Sequence, residues 1–293
     1  MKVFVTGISG GLGREFIPYG VAGCSGASKV DRFPQADLTA PQVVEELLSE
    51  ARPDVVIHTV GWVDVDACER DPGRAASINF RTLLHLRRLA VPLRFRIVYI
   101  STNDVFPGDR GMYREADRPD PINVYSMTKA AAEAILRPCD LILRAPLLSW
   151  HCNGKVSFVR WLVESLEEED SPTLFTDQFT SPVTATTLAR LLMVDLLEEK
   201  GILHIGTGRR SRWEIGNALV RGLGLPTGRI RKGSLAGHRF LAPRPRDVSL
   251  DSDLLAKRHG RKIRLEEEIE ILRERRPRRE TEPATLRAGG DRQ

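Results

Sequence analysis

Tyr125-Ser126-Met127-Thr128-Lys129 sets a phenol and an ammonium four residues apart. On a helix that spacing puts both side chains on one face. An ammonium close to a phenol favours the phenolate and brings its pKa down from about 10 toward the working range. Such a tyrosine can hand a proton to a carbonyl oxygen while hydride arrives at the carbon. The lysine can also hold the ribose of a nicotinamide. Ser101-Thr102 closes the apolar run Val98-Tyr99-Ile100 and offers a hydroxyl to the same oxygen. Taken singly, Thr102 reads as a strand-end cap and Tyr125 with Lys129 as an incidental surface pair. Their combination with a third motif points to chemistry. In Gly7-Ile8-Ser9-Gly10-Gly11-Leu12-Gly13, glycine recurs at every third position. Gly7, Gly10, Gly11, Leu12 and Gly13 then form a turn between strand and helix. Such a turn lets the backbone approach a pyrophosphate and aims N–H groups at the anion.

These residues need a parallel sheet to hold them. Val3-Phe4-Val5 reads as a strand buried on both faces. A helix opens near Leu12 and is cut short by Pro18. Further strands are expected at residues 19–24, 54–59, 96–101, 140–144 and 203–205. Helices are expected at 41–51, 74–90, 125–137, 156–169, within 182–200, at 213–223 and at 265–276. Alternating strands and helices over the first 150 residues give an α/β fold with a Rossmann-type, doubly wound parallel sheet. Residues 1–150 form the dinucleotide-binding domain. Residues 151–264 form mainly a smaller mixed α/β substrate domain, with some segments returning to the sheet. Residues 265–293 are read as a charged helix and a disordered basic tail.

The segment after the second strand, Cys24-Ser25-Gly26-Ala27-Ser28-Lys29, has no acid for two ribose hydroxyls. Ser25, Ser28, Lys29 and Arg32 suit a 2′-phosphate, so NADP(H) is favoured over NAD(H). Asp37 and Leu38 are expected beside the adenine.

The chain has 293 residues, 41% hydrophobic and 28% charged, as in ordinary globular proteins. No run reaches the roughly 18 apolar residues of a membrane span, and the N-terminus has no signal-peptide pattern. A cytoplasmic protein is expected. Cys24, Cys68, Cys139 and Cys152 form no C-x-x-C pair and read as reduced thiols. His58 and His204 read as packed histidines, and no metal site is expected. The net charge is +5, much of it near the C-terminus: residues 273–293 hold seven arginines against four acids. Without a reader motif this is a solvated tail, and nucleic-acid binding is not expected. Arg209, Arg210 and Arg212 read as a solvated loop.

The motifs resemble the extended short-chain dehydrogenase/reductase superfamily and, within it, the dTDP-4-dehydrorhamnose reductase family. The resemblance covers residues 1–260. It rests on the three motifs above and on Pro53-Asp54-Val55-Val56-Ile57-His58, Asp64-Val65-Asp66-Ala67-Cys68-Glu69, Ser101-Thr102-Asn103-Asp104-Val105-Phe106 and Pro121-Ile122-Asn123-Val124-Tyr125. The segments 177–182 and 242–247 are similar to signatures that the wider superfamily lacks. The resemblance implies NAD(P)H-dependent reduction of the 4-keto group of a dTDP-linked 6-deoxy sugar. In that role Tyr125 is the proton donor, Lys129 its activator and ribose anchor, and Thr102 orients the carbonyl. Gly61, Trp62 and Val63 lie along the cofactor, with packing the favoured reading of Trp62. Asn103 and Arg244 stand on the substrate side, together with Thr102. A nucleotide-sugar substrate and no membrane follow, and the resemblance is compatible with a homodimer. Asn103 replaces the family's Asp and Asp104 its Tyr, which leaves the sugar open. The missing Asp-Glu pair argues against dehydration. Two alternatives remain: an epimerase of the same superfamily, and a non-catalytic binding subunit like the regulatory β-subunit of methionine adenosyltransferase.

Overall fold

The computed structural model describes residues 1–26, 28–151 and 156–277. Cys152 and the last part of the basic tail lie outside the described residues.

Six parallel strands form the central sheet: β1 Val3–Thr6, β2 Ala22–Cys24, β3 Val55–His58, β4 Arg96–Ser101, β5 Leu141–Arg144 and β6 Gly201–His204. Their spatial order is β2-β1-β3-β4-β5-β6. The chain therefore reverses direction of travel between β1 and β3, the switch point at which open sheets of this kind leave a crevice. Every residue of β1, β3 and β5 is buried, because helices cover both faces. On β4, Val98 and Ile100 enter one core, while Ile97 and Tyr99 enter the other. The first core is covered by Ala185–Leu191 and the second by Pro41–Ala51, Thr82–Leu89 and Val124–Ala134. A third core lies outside the sheet, between helices Phe158–Glu167, Arg212–Gly222 and Leu265–Glu274.

Three expectations are refined. The segment after the glycine turn is a 3-10 helix, Gly13–Tyr19, not an α-helix. Pro18 lies inside it, and proline lacks the N–H that an α-helical turn would use. The helix expected over 74–90 is Pro72–Ala76 and Thr82–Leu89, joined by a π-helical turn at Ser77–Arg81. The terminal helix is no appendage: its Leu265, Ile269 and Leu272 complete the third core, and Trp150 Nε1 donates to Leu272 O at 2.8 Å. β6, by contrast, returns to the sheet's edge beside β5.

Glu268 couples that helix to the first core. It is almost fully buried and accepts from Thr184 N at 2.5 Å and from Thr187 Oγ1 at 2.8 Å. Both partners belong to the start of the Ala185–Leu191 helix, whose cap is Thr184. Glu268→Ala leaves a buried N–H without an acceptor, which costs about 1–3 kcal/mol. Urea unfolding followed by circular dichroism is expected to show that loss as a lower midpoint.

Candidate active site

The glycine turn is built by close approach. A Cβ on Gly13 would stand 2.1 Å from Gly7 O, and backbone atoms cannot yield to it. Gly7 has φ +73°, which other residues seldom adopt. Gly10 N donates to Gly7 O at 2.9 Å and closes the turn. The N–H groups of Gly11 and Leu12 donate no hydrogen bond among the described residues. Leu12 is buried. Buried N–H groups without acceptors are costly, and an anionic phosphate oxygen is the group that would satisfy them. Gly11 is closely covered: a Cβ there would meet His151 O at 2.2 Å. The turn thus fits a dinucleotide pyrophosphate.

The turn after β3 is tied to this one by Thr59, whose Oγ1 donates to Thr6 O at 2.7 Å. Gly61 and Val63 are exposed beyond it, and Trp62 is half-buried. Trp62 packs with Cys68, Ala75 and Tyr125, and Arg74 lies 4.7 Å over its ring. Asp37 is exposed and accepts from Thr39 N at 2.9 Å and Thr39 Oγ1 at 2.7 Å, bonds that hold its carboxyl below the usual range. Leu38 is buried in the second core.

Helix Val124–Ala134 carries Tyr125 and Lys129, both buried. Asn123 caps it by accepting from Ser126 N at 2.9 Å, while Ser126 Oγ accepts from Asn123 N at 3.3 Å. This reciprocal cap fixes the first turn, where Tyr125 sits. One turn on, Lys129 Nζ donates to Ile100 O at 2.7 Å and lies 4.1 Å from the centre of the Tyr99 ring. Lys129 therefore reaches the carboxyl end of β4, where Thr102 follows. Burial pushes its ammonium down to about 7, and the Glu133 carboxylate pulls it back up. The same cation helps keep buried His58 neutral, down at about 3, with burial the larger cause.

Thr102 does two things. Its Oγ1 accepts from Asp104 N at 3.1 Å and so caps the 3-10 turn Asn103–Val105. It also stands at the strand end nearest Lys129's partner, Ile100. Asn103 is turned away from open space: its Nδ2 donates to Thr180 Oγ1 at 2.9 Å and to Val248 O at 3.0 Å. It ties the turn after β4 to the segments around Thr180 and Val248. Arg244 is half-buried; Nη2 donates to Asp66 Oδ2 at 2.8 Å and Nη1 to Ala242 O at 3.1 Å. Asn123 Nδ2 donates to Pro243 O at 3.0 Å, so the Arg244 segment is strapped to the cap of the Tyr125 helix.

Several positioning residues escape the sequence reading. Asn79, fully buried in the π-helical turn, accepts from Trp62 N at 2.6 Å and donates to Trp62 O at 3.2 Å and Thr128 Oγ1 at 3.0 Å. It links the β3 turn to the Tyr125 helix. An Asn in mid-helix was the available signal. Glu133 and Arg144 form a buried ion pair, with Nη2 to Oε2 at 2.7 Å, and Ser101 Oγ donates to Glu133 Oε1 at 2.5 Å. His204 Nε2 accepts from Arg144 Nη1 at 3.3 Å and faces Tyr113 O through Nδ1 at 3.0 Å. Arg212, read from sequence as part of a solvated loop, is instead the half-buried first residue of helix Arg212–Gly222, with its guanidinium 5.1 Å from the centre of the Phe158 ring. Among the described residues no group of three metal-ligating side chains is gathered, and no helix is long and apolar enough to cross a membrane.

The RmlD substrate binding domain family matches residues 1–271. The chain belongs to that family. A dTDP-4-dehydrorhamnose reductase of Streptomyces griseus is 30% identical over 262 residues, covering 84% of each chain. The methionine adenosyltransferase 2 subunit beta of Bos taurus is 26% identical over 275 residues, 87% of this chain and 81% of its own. A crystal structure of a hypothetical dTDP-4-dehydrorhamnose reductase from Sulfolobus tokodaii superposes with a TM-score of 0.81 at 30% identity, covering 90% of this chain and 98% of the other. The Rossmann-type fold and the family expected from the motifs are thus both met.

Asn79→Leu is expected to leave Trp62 N without its acceptor, while Thr128 Oγ1 keeps Tyr125 O, and to cost about 1–3 kcal/mol. Tryptophan fluorescence during denaturation checks it: the Trp62 region should quench with acrylamide more readily before global unfolding begins.

Proposed function

We propose that this protein is an NAD(P)H-dependent reductase of the 4-keto group of a dTDP-linked 6-deoxy sugar. The observation that carries the reading is that Lys129, one helical turn after Tyr125, reaches the carboxyl end of β4, which Thr102 follows, in a chain whose glycine turn keeps two N–H groups without acceptors among the described residues. The reduced nicotinamide, when bound, supplies hydride to the sugar carbonyl carbon. Tyr125 gives its phenolic proton to the carbonyl oxygen. Lys129 stabilises the phenolate left behind and holds the ribose. Thr102 donates a hydrogen bond to the same oxygen and fixes the carbonyl's face. Gly7, Gly10, Gly11, Leu12 and Gly13 cradle the pyrophosphate; Gly61, Trp62 and Val63 flank the cofactor; Asp37 and Leu38 border the adenine. NADP(H) is the favoured cofactor, because exposed Lys29 and Arg32 follow β2 with no acid at its end. Ser25 is buried and points its hydroxyl toward Pro34 O at 3.4 Å, which leaves the 2′-phosphate to the two cations and exposed Ser28. Arg244 faces the nucleotide sugar.

A second reading, a binding subunit without turnover, is favoured by the likeness to the adenosyltransferase subunit. One assay separates them: loss of the reduced-nicotinamide absorbance with NADPH or NADH and dTDP-4-keto-6-deoxyglucose, with and without prior 3,5-epimerisation. Oxidation matched by reduced sugar establishes the reductase. Dinucleotide binding without oxidation overturns the reductase and leaves the binding subunit and the epimerase, which epimerisation of the nucleotide sugar then separates.

Tyr125→Phe is expected to lower kcat by about 100- to 10,000-fold, the usual worth of a general acid, with the melting temperature unchanged. The pH profile has a definite sign. Lys129 is a cation below about 7 and neutral above it. Reduction needs both the proton on Tyr125 and the charge on Lys129, so kcat/KM should fall as pH rises through that value. Glu133→Gln removes the carboxylate that supports the charge, and the falling limb should move to lower pH.

A further inference from the structure

Lys129 carries its ammonium almost out of reach of water, with 5% of the residue exposed. Among the described residues it makes one hydrogen bond, from Nζ to Ile100 O at 2.7 Å, and no ion pair. An ammonium has three N–H groups and loses its hydration on burial, so one carbonyl does not replace the water. Glu133, one turn on, is already bound by Arg144 and by Ser101. What stands against the ammonium is the face of the Tyr99 ring, with Nζ 4.1 Å from its centre.

Tyr99 suits that place through its ring. It precedes Ile100 on β4, is fully buried in the second core, and its Oη has no hydrogen-bond partner among the described residues. Burial first, then Tyr125 and Glu133, hold its phenol well above the usual range and so keep it neutral. Lys129 therefore meets a π face, not a phenolate. His58 on β3 stacks on the same ring, 18° from parallel, with centroids 6.0 Å apart. Thr82 Oγ1 donates its proton to Ile78 O at 2.7 Å, so His58 Nε2 donates to Thr82 at 3.2 Å and Nδ1 accepts from Thr6 Oγ1 at 2.8 Å. Both nitrogens are satisfied in the neutral imidazole, and His58 brings no charge of its own to the ring. A cation over an aromatic face is attracted by the ring quadrupole, the more so when water is excluded.

We propose that Tyr99 is the positioning residue for Lys129: the face of its ring, and not its hydroxyl, holds the ammonium at the end of β4 and favours its charged form. The inference rests on the reductase reading, in which that ammonium supports the Tyr125 phenolate and the ribose. The titratable and charged groups about Lys129 are Tyr125 and Glu133 on its own helix, Tyr99 on β4, His58 on β3 and, through Glu133, Arg144 on β5. Glu133 favours the charge without an ion-pair contact. Tyr99 favours it and also fixes where it sits, because its ring is packed in the core. With Ile100 O on one N–H and the ring against the ammonium, donor capacity is left for the ribose.

The test is nuclear magnetic resonance of protein whose lysines carry carbon-13 at Cε, with Lys129→Met identifying the signal. In wild type the Lys129 ε-methylene protons should be shifted upfield by the ring and should titrate with a midpoint of about 7. Tyr99→Phe should keep both features. Tyr99→Leu should lose the upfield shift and titrate about one pH unit lower, a roughly tenfold weaker hold on the proton. Phenylalanine with two and then three ring fluorines, installed at position 99, keeps the shape while draining the π face, and the midpoint should fall stepwise. That series decides the matter if Tyr99→Leu does not fold, and a merely structural ring would not give it. A midpoint that ignores fluorination, or a Tyr99→Phe protein that has lost the upfield shift, overturns the proposal. NADPH oxidation is scored separately. Where wild type turns over, the falling limb of kcat/KM should follow the midpoint through the series, and a limb that stays put overturns the positioning role while leaving the reductase. A stepwise midpoint in a protein without turnover sinks the reductase and supports the ring–ammonium pair.

Discussion

A buried amide ties the turn after β4 to two distant segments of the chain. Asn103 Nδ2 reaches Thr180 on one segment and Val248 O on another, from a position between Thr102 and Asp104. Thr180 and Val248 belong to stretches that themselves join, since Phe179 N donates to Arg246 O at 2.7 Å and Val248 N to Phe179 O at 3.1 Å. The Arg244 segment adds its own bonds to Asp66 and Asn123. The Thr102 hydroxyl lies before that junction, the Arg212 helix after it, and the Arg244 strap follows from Arg246. A buried amide donor left without acceptors is expensive, so the junction is a constraint as much as a contact.

The second constraint is the burial of charge. Lys129 is inside the protein with one carbonyl and one aromatic face as its neighbours. Its ammonium is tolerated because Glu133 stands one turn further along the helix. Glu133 is in turn held by Arg144 and Ser101, and Arg144 by His204. Each of β4, β5 and β6 thus supplies one member of a polar chain that runs behind the Tyr125 helix. Buried ion pairs do little for stability overall. Here the pair fixes the helix against the sheet at the height where its lysine meets the end of β4, and it sets how readily that lysine keeps its proton.

Much of this could be read from the residues. The strands at 96–101 and 140–144, the helix at 41–51 and the Tyr125 helix follow from apolar runs and periodicity. Those signals depend on neighbours a few positions apart. The π-helical turn did not show itself, because its register change is stabilised by Asn79 reaching Trp62, 17 residues earlier, and Thr128, 49 residues later. The 3-10 character after the glycine turn was half-legible, through Pro18.

Local pattern determined the strand–turn–helix of the glycine motif, the facing of Tyr125 and Lys129, and the hydroxyl at the end of β4. These rest on backbone geometry within one or two elements. Only the tertiary structure decided that Asn103 ties the turn after β4 to Thr180 and Val248, that Glu133 and Arg144 back the lysine, and that Arg212 leaves its apparent loop to open a helix beside Phe158. Such partners are separated by 77, 145 or 11 residues, and their pairing is fixed by strand order and core packing, which carry no short-range mark in the sequence.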